Sequence, residues 1–236
     1  MNPVPWRSAG RTAQGRNRSR NEDAYLDCPQ RGCWAVADGM GGHRAGNVAS
    51  QRVVSSLASL VGQGSLDQRI EEVRRCMAAL DSQLAPTDSR PGITGSTVVA
   101  LLLEGSRAAC VWAGDSRCYL WRGQRLYQLS RDHSLQQQLM DKQQLSREQA
   151  QAHPDARALT RAIGARQPLK LEVLELRTHP GDVFLLCSDG LYQGLSHGEL
   201  GRAMAVGAPQ QVLDWLFRDR LRGAAQDDCT AVVVQP

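Results

Sequence analysis

Aspartates stand at the ends of several short apolar runs, and this repeated placement constrains the fold of the chain more than any other feature. Asp38 follows CWAVA, Asp115 follows CVWAG, Asp189 follows FLLCS, and the pair Asp227 and Asp228 precedes CTAVVV. Each run is short, apolar and bounded by turn residues, which is typical of a buried strand. Since an unpaired charge is excluded from a protein core, we expect these acids at the edge of the core, where the strands end.

Several carboxylates at one end of a sheet repel one another unless cations are paired with them or bound between them. Ligand sets made only of oxygen suit Mg²⁺ or Mn²⁺ rather than zinc. Glu22 and Asp23 precede another short apolar stretch and extend the acidic set. The alternative is that each aspartate only forms a turn, since Asp-Gly and Gly-Asp pairs are common in turns. That explanation is the better one for a single aspartate and a weak one for four similar placements.

Composition excludes several classes of protein. A net charge of +4 over 236 residues is too small to indicate nucleic-acid binding, and most arginines of the basic run over residues 10–20 are expected to be solvated. No apolar stretch reaches the ~20 residues of a membrane helix, and the first residues lack the apolar centre of a signal peptide. Seven cysteines without a CxxC pair predict neither a disulfide framework nor a zinc site, so a reducing cytoplasm is expected.

Hydrophobic periodicity predicts helices in the first half of the chain and strands on either side of them. A helix with an apolar stripe is predicted over residues 66–84, and Ser65 with Gln68 forms a capping box at its start. Its stripe consists of Leu66, Ile70, Val73, Met77, Leu80 and Leu84. An earlier helix is indicated by the spacing of Val48, Val54, Leu57 and Val61.

From residue 95 the pattern changes to short apolar runs separated by glycine-containing turns, which predicts a meander of antiparallel strands. Residues 134–164 are polar and rich in glutamine and are expected to form an exposed insertion with short helical fragments. Further strands, a helix over residues 209–223 and a final strand from residue 229 complete the chain. This order predicts one α+β domain, in which antiparallel sheets are covered by helices.

The sequence motifs of several rival chemistries are absent. No cysteine is followed six positions later by arginine, and no Asp-x-Asp is present, so cysteine and aspartate nucleophiles are excluded. The glycine-rich stretch after Asp38 has no Gly-Lys-Ser/Thr and does not match the dinucleotide fingerprint. A Gly-x-Ser-x-Gly elbow is also missing. Water activated by a metal ion is the chemistry that remains.

Eight motifs, in order over nearly the full length, resemble those of the metal-dependent serine/threonine protein phosphatases of type 2C in their compact bacterial form. They are RSRNEDA (18–24), VADGMGGHRAG (36–46), TGSTVV (94–99), AGDSRCYL (113–120), LSRDHSL (129–135), LTRAIG (159–164), GDVFLLCSDGL (181–191) and DDCTAVVV (227–234). The resemblance implies a four-layer αββα sandwich with two Mn²⁺ or Mg²⁺ ions in a cleft at one end of the sheets. It also implies a single catalytic domain over residues 1–236.

The resemblance assigns roles to residues by their position in these motifs. Asp38 would bridge the two ions and Gly39 would add its carbonyl, which a glycine-rich turn brings within reach of a metal. Asp189 and Asp227 would hold one ion, and Glu22 and Asp23 would support the other, partly through water. Asp115 with Asp189 would form a third, weaker position. Arg18 would clamp the phosphate, a role suited to its forked donors.

The implied reaction is direct hydrolysis of phosphoserine or phosphothreonine in proteins. A water whose pKa the metals lower towards ~7 attacks phosphorus in line, without a phosphoenzyme. Residues 132–160 would form a flap beside the cleft and influence substrate choice. The implied partners are a phosphorylated protein and a cognate bacterial Ser/Thr kinase, and in some Gram-negative bacteria such pairs control type VI secretion.

Three points stay open at the level of sequence. Met40 stands where animal members have histidine, so the general acid is either His43 or a metal-bound water, and His43 is equally explained as loop polarity. The family often has asparagine at the position of Asp228, and motif register favours Asp227 as the ligand. A catalytically inactive binding module and a hydrolase of small phosphate esters are the alternative functions.

Overall fold

A computed structural model describes residues 6–41, 45–60, 62, 64–85, 94–165, 168–218 and 226–236, and the described residues form two antiparallel sheets. The first sheet has the strand order β1-β11-β10-β7-β8, with β1 Arg7–Ala13, β7 Arg117–Arg122, β8 Arg125–Gln128, β10 Val183–Cys187 and β11 Cys229–Gln235. The second has the order β2-β3-β5-β6-β9, with β2 Asp23–Cys28, β3 Cys33–Met40, β5 Val98–Glu104, β6 Arg107–Ala113 and β9 Glu172–Arg177. The short strand β4 Gly95–Ser96 pairs with β3.

Helices cover the outer face of each sheet. Those described are α1 Ala45–Ser59, α2 Leu66–Leu84, α3 Leu135–Gln143, α4 Arg147–Gln151, α5 Asp189–Tyr192, α6 His197–Met204 and α7 Pro209–Phe217. The helices α1 and α2 pack on the second sheet through one buried apolar cluster, and α6 and α7 pack on the first sheet through another. A third cluster fills the space between the two sheets. These three apolar layers confirm the αββα sandwich expected from the resemblance.

The helix α2 follows the sequence prediction closely. All six residues of its predicted stripe are buried, and Ser65 accepts a hydrogen bond from the backbone N–H of Gln68 while the Gln68 side chain accepts one from Ser65 N–H. In α1 the prediction is wrong in one detail, because Val48 is 49% exposed and Val53 is buried in its place. Val61 lies outside the described residues.

Topology explains two further features. Arg16, Arg18 and Arg20 are exposed, as expected for most arginines of the basic run over residues 10–20, but the first residues of the run belong to β1, which pairs antiparallel with β11. Arg11 in β1 forms an ion pair with Asp214 and lies over the Phe217 ring. The predicted meander is interrupted, because β5 and β6 belong to the second sheet whereas β7 and β8 belong to the first. The turn Gly114–Ser116 carries the chain across, and Gly114 takes a φ of 112° there.

Sheet ends, rather than helix faces, therefore provide the surface on which the acidic residues meet.

All seven cysteines are free thiols, as the sequence predicts. Within the described ranges, no helix combines the length and the apolar character needed to cross a bilayer.

Candidate metal centre

The predicted acidic residues meet in one cleft at an end of the two sheets. Asp38 lies near the end of β3 and Asp115 in the crossing turn. Asp189 begins α5 and is separated from β10 by Ser188, and Asp227 is separated from β11 by Asp228. The cleft has a volume of about 1270 Å³, and the predicted site residues that line it are Arg18, Glu22, Asp38, Gly39, Asp115, Asp189 and Asp227. Asp23 is only 4% exposed and lies behind the cleft. In the antiparallel pairing of β2 with β3, Asp23 stands opposite Asp38. His43 lies outside the described residues.

The backbone at Asp38 is held by hydrogen bonds with Ser96 and Thr97. Thr97 N–H donates to the Asp38 carbonyl at 2.8 Å, and Asp38 N–H donates to Thr97 Oγ1 at 2.9 Å. Ser96 Oγ donates to the same carbonyl at 3.1 Å. This arrangement orients the Asp38 side chain into the cleft without using its carboxylate.

Gly39 is required for close packing rather than for a turn, so the expectation of a turn directly after Asp38 is wrong. The strand β3 continues through Met40, and the backbone first takes a positive φ at Gly41. A Cβ atom on Gly39 would stand 2.1 Å from the carbonyl oxygen of Gly46 and 2.7 Å from that of Glu22. Only glycine lets the start of α1 and the backbone of Glu22 approach β3 so closely.

Mutual repulsion and burial dominate the electrostatics of the cluster. Burial and the charges of Asp23 and Asp189 hold the pKa of Asp38 well above its usual range. Burial raises the pKa of Asp23 to about 7, against hydrogen bonds from Thr230 and Ser188 that lower it. Burial and the charge of Asp189 raise the pKa of Asp115 to about 8. Carboxyls that resist ionisation in one another's presence are stabilised by a bound cation.

The donor set fits a hard divalent cation, because carboxylate oxygens and a backbone carbonyl are the ligands that Mg²⁺ and Mn²⁺ prefer. Across the residues that the structure describes, however, no three of the acidic, histidine and cysteine side chains already converge as a finished cation cage. Two of the acids already accept hydrogen bonds from neighbouring side chains, since Ser188 Oγ donates to Asp23 at 2.7 Å and Gln193 Nε2 donates to Asp189 at 2.7 Å.

Asp227 and Asp228 have clearly different environments. Asp228 is buried and accepts hydrogen bonds at 2.8 Å from the backbone N–H groups of Gly15 and Glu22, so it ties the N-terminal segment to the start of β11. Asp227 faces the cleft, where Arg18 Nε and Nη2 donate to its two oxygens at 2.8 and 2.9 Å. The guanidinium of Arg18 thus stands at the rim of the cleft, within reach of an anion.

The sequence interpretation missed the residues that hold the turn at Asp115. Ser116 Oγ lies 2.7 Å from Thr97 Oγ1, Tyr192 Oη donates to the Asp115 carbonyl at 3.0 Å, and Gly114 N–H donates to His133 Nδ1 at 3.1 Å. His133 is only 7% exposed and stacks on Trp112. The sequence signal that could have identified these residues is that TGSTVV and LSRDHSL place polar residues next to apolar runs.

The predicted flap begins at Asp132 and contains the helices α3 and α4. Arg117 donates to both Asp132 oxygens, at 2.8 and 2.6 Å, and lies over the Tyr192 ring at 3.7 Å, so the base of the flap is joined to β7 and α5. Four residues after the predicted flap ends, Gly164 N–H donates a hydrogen bond to Asp81 of α2 at 2.7 Å. Flap side chains that include Gln137 line the main cleft, and they share with α5 a second pocket of about 630 Å³.

Comparison with known proteins agrees with this geometry. Residues 10–226 match the model of the family described as Protein phosphatase 2C. The chain is 35% identical over 232 residues to the serine/threonine protein phosphatase PstP of Mycobacterium tuberculosis, an alignment that covers 96% of this chain and 44% of PstP. The chain therefore spans less than half the length of that curated relative.

Solved structures give the same result. PppA, described as a key regulatory component of T6SS in Pseudomonas aeruginosa, superposes with a TM-score of 0.87 at 38% identity over 98% of both chains. The catalytic domain of PstP, solved in complex with two manganese ions, superposes with a TM-score of 0.83 at 32% identity over 98% of this chain and 97% of the other. The chain belongs to the protein phosphatase 2C family.

Proposed function

We propose that this chain is a metal-dependent phosphatase that hydrolyses phosphoserine and phosphothreonine in proteins. The observation that carries the proposal is the meeting of Asp38, Asp115, Asp189 and Asp227 in one open cleft with Arg18 at its rim. Burial and the neighbouring acidic groups raise the pKa of Asp38, Asp115 and Asp189, so this cluster needs cations, and an arginine beside cations suits a phosphate dianion. Membership of a family described as protein phosphatases supports the same reaction.

Residues are assigned to the cations as the motif positions imply. Asp38, with the Gly39 carbonyl, would hold both ions, Asp189 and Asp227 would hold one of them, and Glu22 and Asp23 would support the other. Asp115 with Asp189 would hold a third ion more weakly. When bound, the ions lower the pKa of water and neutralise charge on the phosphoryl oxygens. Manganese is favoured as the first ion to test because a related catalytic domain was solved with it, and Mg²⁺ is the other candidate.

Arg18 binds and orients the phosphate. Its guanidinium already forms two parallel bonds to the Asp227 carboxylate, and the same fork matches two oxygens of a phosphate. Moving Arg18 from Asp227 to the phosphate also frees Asp227 to serve as a ligand. The proton for the leaving serine or threonine oxygen is assigned either to His43 or to a water on a metal ion.

The biological setting is proposed from the resemblance and the comparisons. The chain acts as one catalytic domain over residues 1–236 with a flap at residues 132–160, is located in the cytoplasm, and opposes a cognate Ser/Thr kinase. A role in the control of type VI secretion is proposed because PppA, a structure that resembles this chain, is described as a T6SS regulator.

Hydrolysis of a phosphothreonine peptide during a Mn²⁺ titration tests the proposal, with Asp38→Asn as the test variant. Asp214→Asn is the matched control, because it makes the same change at an exposed aspartate that pairs with Arg11 outside the cleft. We expect turnover to require Mn²⁺, to persist in D214N and to fall in D38N by more than the roughly 10- to 100-fold typical of residues that only support ligands.

Other results would refute parts of the proposal. Folded wild-type protein without turnover at any Mn²⁺ concentration would favour the inactive binding module. Turnover of nucleotides or sugar phosphates but not of peptides would favour a hydrolase of small phosphate esters. Equal turnover in D38N would show that the metal site is misplaced.

A further inference from the structure

The turn that carries Asp115 is anchored on three sides, and each contact comes from a different part of the fold. His133 accepts from Gly114 N–H, Tyr192 donates to the Asp115 carbonyl, and Ser116 pairs with Thr97. These contacts hold the backbone of the turn, and the backbone in turn positions the Asp115 carboxylate.

Thr97 differs from the other two anchors because it also contacts Asp38. Its backbone N–H and its Oγ1 form a reciprocal pair of hydrogen bonds with the Asp38 backbone, at 2.8 and 2.9 Å. The same Oγ1 lies 2.7 Å from Ser116 Oγ. One hydroxyl thus joins the turn that carries Asp115 to the strand that carries Asp38.

Burial makes this hydroxyl pair sensitive to substitution. Thr97 and Ser116 are each only 1% exposed, so water does not replace a lost partner without rearrangement. The Thr97 side chain also fills the space beside Gly114, where a Cβ atom would stand 2.6 Å from Thr97 Cβ. Thr97 and the turn at Gly114–Ser116 are therefore in direct contact as well as hydrogen-bonded.

The carboxylates of Asp38 and Asp115 repel each other, since the charge of Asp115 contributes to the raised pKa of Asp38. Uncharged backbone and hydroxyl contacts hold the two groups in the same cleft against that repulsion. The hydrogen bonds described between these two segments run through the Thr97 backbone and the hydroxyls of Thr97 and Ser116.

We propose that Thr97 is a positioning residue that sets the distance between the metal position bridged by Asp38 and the weaker position at Asp115, through its hydroxyl bond to Ser116. This inference rests on the proposed function, because it takes both aspartates as metal ligands. Thr97 borders the cleft, and in this role it acts through the backbone of its neighbours.

Calorimetric titration of the metal-free protein with Mn²⁺ tests the inference, with thermal unfolding in EDTA measured in parallel. Thr97→Val keeps the shape of the side chain and removes the hydroxyl, whereas Thr97→Ser keeps the hydroxyl. Tyr192→Phe is the matched control, because it removes one bond to the Asp115 carbonyl and leaves the Asp38 contacts intact.

We expect T97V to weaken Mn²⁺ binding at both the stronger and the weaker positions by roughly 10-fold, the lower end of the effect of residues that orient ligands. T97S restores binding to near the wild-type value, and Y192F weakens only the weaker position. With Mn²⁺ near its dissociation constant, T97V lowers kcat, and excess Mn²⁺ recovers it, whereas the KM for the peptide stays near wild type.

Three results would overturn the inference. If T97V lowers the unfolding temperature in EDTA and leaves the Mn²⁺ dissociation constants unchanged, the role of Thr97 is purely structural. T97S could bind as weakly as T97V, or T97V could affect only the weaker position as Y192F does. If T97V does not fold, Ser116→Ala breaks the same hydroxyl pair from the other side and must weaken the weaker position.

D38N in the same titration separates this inference from the proposed function. If D38N binds Mn²⁺ as wild type does, the metal site itself is wrong. If D38N loses binding and T97V does not, the metal site stands and only the role of Thr97 is wrong.

Discussion

Replacement of Gly39 by alanine tests whether close packing at the end of β3 supports the site. An added Cβ would lie 2.1 Å from Gly46 O, 2.4 Å from Gly46 C and 2.7 Å from Glu22 O. All three are backbone atoms, so no side-chain rotation relieves the overlap. Since Cβ contacts below 3.0 Å essentially never occur, the start of α1 must move away from β3 by about 1 Å.

The size of the effect follows from that displacement. Overpacking costs about 1–3 kcal/mol, and a contact with rigid backbone belongs at the upper end of that range. For a chain of this length, ~3 kcal/mol lowers the unfolding temperature by roughly 6–12 °C. The shift also moves the backbone of Glu22 beside Asp38, and a 1 Å displacement of a reacting group reduces turnover by about 100-fold.

The assay is thermal unfolding of the metal-free protein together with peptide hydrolysis at saturating Mn²⁺. Gly198→Ala is the matched control, because Gly198 lies in α6 and its nearest neighbour is the flexible Arg202 Nη1 at 3.6 Å. We expect G198A to be neutral or slightly stabilising and fully active. If G39A unfolds and turns over as G198A does, the close approach of Gly46 to β3 is not a constraint and this reasoning is wrong.

Three further predictions concern the phosphate, the pH and a helix cap. Arg18→Ala should lower kcat/KM about 10- to 100-fold in steady-state assays at saturating Mn²⁺, since hydrogen bonds to a charged group contribute roughly 1.5–3 kcal/mol; unchanged kcat/KM would exclude Arg18 as the clamp. The metal-free protein should lose stability as the pH rises from about 4 to 8. The pKa values of Asp23 and Asp115 are raised to about 7 and about 8 in the folded state, so the folded protein holds these protons more tightly than the unfolded chain does, and this advantage disappears as the carboxyls ionise. Unfolding temperatures measured in EDTA across this range check the sign, Mn²⁺ should reverse the trend, and a rising profile would contradict it. Ser65→Ala should remove the cap of α2 and cost about 1 kcal/mol in denaturant unfolding, whereas Ser82→Ala on the same helix serves as the uncapped comparison.

Local chemistry was sufficient to predict much of this protein. The stripe and capping box of α2 were predictable because an amphipathic helix and its cap depend on residues three or four apart. The acids at the ends of apolar runs were predictable because a buried strand excludes charge along its length and not at its end. The motifs around them indicated the family, the αββα layers and the set of cleft residues.

Only the tertiary structure decided which parts of the chain meet. The pairing of β1 with β11 joins residues more than 200 positions apart, so no local pattern distinguished β1 from a solvated arm. The crossing at Gly114–Ser116 between the two sheets is likewise invisible in a run of strands that reads as one meander.

The same reason explains the details of the site. Asp227 and Asp228 are adjacent and chemically identical in sequence, and only folding brings Gly15 and Glu22 to Asp228 and Arg18 to Asp227. Sequence determined which groups were available for chemistry, because side-chain type and local burial depend on near neighbours. The distances and partners of those groups arose from contacts between segments far apart in the chain, and these exist only once the two sheets have packed together.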